Sequence, residues 1–164
     1  MTTARRIATL GGVGYLRPAP GSWGALAAIA LAWLLHAIGG FWFVFAATFV
    51  MAVIGHRAIQ ACLPDMTSND PSEIVVDELV GQWIALWPVS FGAMFAGVPL
   101  GALWPGLLTA FIAFRVFDIW KPGPVAYAER LSGARGVMAD DIVAGWLAAL
   151  VVAVIGAVAH LVLI

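Results

Sequence analysis

Charge in this chain is confined to three windows, and that confinement limits the possible folds more than any other feature. The eight Lys and Arg and the nine Asp and Glu residues all fall within Arg5 to Arg17, Arg57 to Glu78 and Arg115 to Asp141. Between and beyond these windows run uncharged stretches of 39 residues (18–56), 36 residues (79–114) and 23 residues (142–164). A bilayer core about 30 Å thick takes roughly 20 apolar residues as helix. The last stretch is therefore one span, and each of the first two can be a helical hairpin. Breakers mark the turns, Gly39-Gly40 in the first and Gly97-Val98-Pro99 in the second. The expected fold is all-α, a polytopic helical membrane protein of about five spans near 22–38, 41–56, 79–96, 100–117 and 141–163.

Composition agrees with a membrane protein. Of the 164 residues 63% are hydrophobic and 10% charged, against about 25% charged in soluble domains. With no repeat or soluble segment, residues 1–164 are expected to form a single integral membrane domain. The N-terminal MTTARRIATLGGVG lacks the apolar core and small-residue cleavage site of a signal peptide, so the first span is expected to remain in the mature chain. Both hairpin tips and the C-terminus emerge uncharged on one side. Every charge lies on the other, which the positive-inside rule makes cytoplasmic. A net charge of −1 without a basic run argues against nucleic acid. Cys62 has no partner for an internal disulfide, and Ser68 stands where a cysteine phosphatase would need arginine, so a buried, idle thiol is expected. Trp23, Trp42, Trp83, Trp120 and Trp146 lie near predicted span ends, as interfacial anchors would. His36 and His160 fall inside apolar spans and are read as interhelix hydrogen-bonding residues. Thr67, Ser68, Asn69, Asp70 and Pro71 read as a turn-rich break in an acidic loop whose Asp65, Asp70 and Glu73 are expected to be solvated.

The chemistry lies at the charged end. Asp77-Glu78 and Asp140-Asp141 stand at predicted span starts, where one acid could cap the helix; capping leaves the second acid of each pair unexplained. Arg115, Asp118 and Lys121, at three-residue steps, form one polar stripe ending the fourth span. Ionisable groups at membrane depth cost roughly 2.5–3.5 kcal/mol each, which makes function the default reading. Five carboxylates from three spans would repel one another without a cation between them. Oxygen ligands without Cys or His suit Mg²⁺ or Mn²⁺ better than zinc. A divalent ion beside Arg and Lys at a bilayer surface equips a protein for phosphate chemistry on a lipid head group. Ahead of the first span, Arg17, Gly21 and Ser22 could offer an anion a cation and helix N-terminal N–H groups.

Four blocks in order, GGVGYLRPAPGSWGAL, SEIVVDELVGQWIAL, FRVFDIWKPGP and GVMADDIVAG, resemble the phosphatidylglycerophosphatase A family almost from end to end. The resemblance implies a bacterial inner-membrane enzyme that uses Mg²⁺ to hydrolyse the terminal phosphomonoester of phosphatidylglycerophosphate, a step of phospholipid biosynthesis. It implies Asp118, Arg115 and Lys121 as catalytic residues and Asp77, Glu78, Asp140 and Asp141 as metal-site acids. Arg17, Gly21 and Ser22 would bind the substrate phosphate. The expected partner is the phospholipid substrate in the membrane, with a homo-oligomer left open. Gly133-Ala134-Arg135-Gly136 departs from the family pattern and adds a cation, Arg135, near the site; Gly123 stands where an aromatic residue is usual. The alternatives are a small transporter or channel with a structural acidic cluster, or another lipid-phosphate transferase. The D-G-x-x-A-R element of CDP-alcohol transferases does not occur, and the charges gather at one interface rather than along a crossing path.

Overall fold

The computed structural model describes residues 1–66 and 71–163, and every regular element among them is helical. The elements are α1 (Thr3–Ala8), α2 (Pro20–Cys62), α3 (Val76–Ala96), α4 (Trp104–Trp120), α5 (Gly123–Glu129) and α6 (Ala134–Leu163), with 3₁₀ turns between some of them. By length and composition, four segments of the described chain can cross a membrane: Pro20–Asp65, Val76–Ala96, Leu100–Trp120 and Ala134–Val162.

The longest of these is two legs rather than one rod. Its helical path breaks at Gly39 and at Gly40, whose φ of 62° only glycine adopts readily. Packing against α3 shows the reversal. Gly24 lies against Val75 and Gly40 against Met94, so the first leg runs alongside α3; Gly55 then returns to Val76. Cross-helix bonds agree, with Trp83 Nε1 donating to the Ala28 carbonyl (2.8 Å) and Trp87 Nε1 to Thr48 Oγ1 (3.2 Å). The expected hairpin at Gly39-Gly40 is therefore present.

The second reversal follows Gly97, in the left-handed region at φ 64°. α4 then runs antiparallel to α3, with Gly106 against Val89 and Phe114 against Gly81. Its regular part begins at Trp104 rather than near residue 100. Pro105 has no N–H to donate, so it sits in the first turn and a 3₁₀ turn precedes it. α6 starts at Ala134, seven residues before the expected 141, because its first turns carry Arg135, Asp140 and Asp141 and so fall outside the uncharged stretch that set the expected span. The result is a bundle with its charged ends together.

Small residues set the packing. Ala25, Ala28, Ala110, Ala144 and Ala148 are fully buried, as expected where lipid supplies no hydrophobic drive and close approach is what holds helices together. Two tryptophans depart from the interfacial reading. Trp83 is only 3% exposed and serves as an interhelix donor, while Trp146 lies well inside α6 rather than at its start, 56% exposed and edge-on against Trp87 with ring centroids 5.3 Å apart. Trp23, Trp42 and Trp120 are exposed. His36 makes its interhelix bond, to Ser90 Oγ at 2.8 Å, whereas His160 is exposed near the end of α6. Cys62 is buried and free. Glu73 is not simply solvated: it pairs with Arg5 at 3.7 Å. Of the turn-rich break, Thr67, Ser68, Asn69 and Asp70 lie outside the described residues, and Pro71 is buried.

Candidate active site

At the charged end a cavity of about 300 Å³ is lined by the start of α2 (Ala19, Pro20, Gly21), the loop before α3, and side chains of α3, α4 and α6. Asp77, Glu78, Arg115, Asp118, Lys121, Asp140 and Asp141 all face it. The tertiary structure therefore brings the expected acids and cations of three helices to one place.

The acid pairs do not cap their helices. Val75 precedes α3 without a side-chain cap, and the Asp77 carboxylate accepts from the next N–H, that of Glu78 (3.1 Å). Asp140 and Asp141 lie well inside α6, and Asp140 likewise accepts from the Asp141 N–H (3.1 Å). Bent back on their own backbones, these carboxylates leave other oxygens for the cavity.

The charges sort themselves into two sets. Arg115 Nη1 donates to Asp118 Oδ2 one turn away on α4. Lys121 Nζ donates to Asp140 Oδ2 (2.9 Å) and to Glu129 Oε1 on α5 (2.6 Å). Burial pulls the Lys121 pKa down, but hydrogen bonds and charge from Glu129 and Asp140 outweigh it, so the ammonium titrates above the ordinary lysine value. Lys121 ends α4 in the left-handed conformation (φ 46°, ψ 59°), which turns its side chain back toward α6 as Pro122 stops the helix. Asp77, Glu78 and Asp141 form the second set. Among the described residues they have no Lys or Arg salt bridge, and one oxygen from each lies within 4.8 Å of the others. Glu78 Oε2 and Asp141 Oδ1 are buried and unpartnered. Unit charges 4 Å apart interact with about 4 kcal/mol at an effective dielectric of 20, so such a trio needs protons or a cation. An all-carboxylate donor set, with no His or Cys in the cluster, fits a hard divalent ion such as Mg²⁺.

The expected phosphate-binding residues divide. Gly21 lines the cavity, and a side chain there would collide with Glu78 and come within 2.9 Å of Arg115 Nη1. Ser22 stands outside the lining, and its backbone N–H is already bonded to the Ala19 carbonyl (3.0 Å). Arg17 is one residue removed: it donates to Ser72 Oγ (3.1 Å), and Ser72 lines the cavity. Arg135 is exposed and also outside the lining. Gln82 escaped the sequence reading; it is fully buried on α3, one turn from Glu78.

Fold and site together define an apolar helical protein with an open cavity, lined by acids and by Arg115 and Lys121, where its helices end. The chain belongs to the phosphatidylglycerophosphatase A family of phosphoric monoester hydrolases, which it matches over residues 6–156. It is 37% identical over 142 residues to phosphatidylglycerophosphatase A of Haemophilus influenzae, covering 86% of this chain and 81% of that protein. With phosphatidylglycerophosphatase A of Escherichia coli it shares 32% identity over 139 residues, 84% and 74% of the two chains. A protein of Bacteroides thetaiotaomicron, provisionally named a phosphatidylinositol-3-phosphatase, is 37% identical over 148 residues, 87% of each. No solved structure matches the chain.

Proposed function

We propose that the protein hydrolyses the terminal phosphomonoester of phosphatidylglycerophosphate to phosphatidylglycerol and inorganic phosphate, with Mg²⁺ held by Asp77, Glu78 and Asp141. We place the reaction at the cytoplasmic face of a bacterial inner membrane, as a step of phospholipid biosynthesis. The observation that carries this reading is the unbridged carboxylate trio beside Arg115 and Lys121 in one cavity. Family membership supports the substrate. A cavity of about 300 Å³ is at the small end of ligand pockets; it suits a glycerophosphate head group and leaves the acyl chains outside. Ile119, on the cavity wall, is 64% exposed and adjoins the exposed Trp120, which gives those chains an apolar edge.

Mg²⁺ would neutralise phosphoryl charge and acidify a water. The remaining roles belong to the chain. Arg115 keeps Nε unpartnered while Asp118 holds Nη1, so the guanidinium can turn its remaining N–H groups on the phosphoryl oxygens. Lys121, fixed by Asp140 and Glu129, adds a permanent positive charge, and Asp118 orients the attacking water. The water oxygen bonds to phosphorus as the P–O bond to the head-group glycerol breaks, and the leaving alkoxide takes up the proton that the water gives up. Asp140 thus orients Lys121, and the trio supplies the ligands.

The test is phosphate release by the purified protein in detergent, from phosphatidylglycerophosphate and phosphatidylinositol 3-phosphate side by side. Release from the first should require Mg²⁺ and fall at least about 100-fold in Asp141→Asn and Asp118→Asn. Undiminished turnover by Asp141→Asn would remove the site, and preference for the inositol lipid would replace the substrate.

A further inference from the structure

Gln82 is fully buried, and neither its Oε1 nor its Nε2 has a partner. Buried amides are almost always satisfied, so an orphaned one calls for an explanation. Among the described residues, the other buried side-chain polar atoms without partners are Glu78 Oε2, Asp141 Oδ1 and Arg115 Nε, all on residues that line the cavity. Gln82 follows Glu78 by four residues in α3, which puts it on the same helix face one turn deeper. The unmet donors and acceptors thus extend from the cavity into the bundle beneath it.

We propose that Gln82 is a positioning residue for Glu78. Its Nε2 and Glu78 Oε2, both unpartnered, are joined through one bridging water, which turns the other Glu78 oxygen toward Asp77 and Asp141. An amide suits this role because it donates without bringing charge: an arginine or lysine there would neutralise the carboxylate that a cation needs. Groups behind metal ligands orient them in this way, and losing one typically weakens metal binding 10–100-fold. The inference rests on the reading of Asp77, Glu78 and Asp141 as cation ligands.

Gln82→Met in the full-length protein keeps the side-chain length and deletes both polar atoms. With Mn²⁺ as the probe, bound ion is counted by the loss of its free electron paramagnetic resonance signal, and Tm is read without metal. The expected result is a 10–100-fold rise in the Mn²⁺ dissociation constant with a metal-free Tm equal to or above that of wild type, because unmet polar atoms have left an apolar interior. Wild-type Mn²⁺ affinity in the variant, whether its Tm holds or falls, would overturn the inference and leave Gln82 as filler or an interhelix bond. Absence of Mn²⁺ binding by the wild type would instead overturn the cation reading beneath it. If Gln82→Met does not fold, Gln82→Asn shortens the amide and is read by the same two measurements.

Discussion

Lys121 combines two properties that single substitutions can separate. Its backbone is left-handed, which costs a side-chain-bearing residue roughly 1–2 kcal/mol relative to glycine, while its ammonium joins α4 to α5 and α6. Lys121→Gly should therefore hold Tm within a few degrees, as relief of the backbone offsets the lost ion pairs, yet lower phosphate release at least about 100-fold. A parallel loss of Tm and activity would make Lys121 a structural clamp. Its raised pKa has a clear sign: the stabilisation from its partners is fully present below the ordinary value of 10.5 and is lost only as pH rises through the raised one. Activity should show no lysine limb near neutrality, which a pH–rate profile checks. At Arg115 the fork matters more than the charge, so Arg115→Lys should cost at least tenfold in rate; an unchanged rate would reduce Arg115 to a partner for Asp118. The residue types at this site were legible in the sequence, but the pairing was not. Nothing in R-x-x-D-x-x-K shows that Lys121 takes Asp140, nineteen residues on, and so leaves Asp77, Glu78 and Asp141 together.

Between elements, the crossing of α3 and α6 sets how closely the acids approach. A Cβ on Gly145 would strike the Gly81 carbonyl, and one on Gly81 would meet Phe114 and come within 2.6 Å of the Asp141 carbonyl. Gly145→Leu should push the helices apart, lower Tm through overpacking worth about 1–3 kcal/mol and abolish phosphate release. Gly156→Leu on the same helix has open space and should leave both unchanged; Tm and activity of the pair decide the point. Helix existence was readable from uncharged length and breaker position, since Gly39-Gly40 and Gly97 are local signals. Starts at the charged end were not readable, because the first turns of α6 carry Arg135, Asp140 and Asp141 and so fall outside the uncharged stretch.

For the whole molecule the open quantity is orientation. The orientation proposed above, with the charged end in the cytoplasm, is the one that the positive-inside rule favours, and labelling tests it. Single cysteines in a Cys62→Ala background, replacing Arg57 or Arg130 at one end and Gly97 at the other, should react with a membrane-impermeant maleimide from opposite sides of sealed vesicles; labelling of all three from one side would sink the topology. The amino-acid sequence alone determined that the chain is helical, apolar, twice folded back and charged at one end, because bilayer thickness and the lack of water to satisfy the backbone leave few other solutions. It also held the family's blocks, and with them the chemistry. Only the tertiary structure decided which acids share a cavity, which are bound to cations, that Trp83 and Gln82 turn inward, and that Ser22 and Arg135 stand aside. Those choices depend on helix rotation and crossing, which glycine and alanine contacts set between segments far apart in the chain, where no local pattern records them.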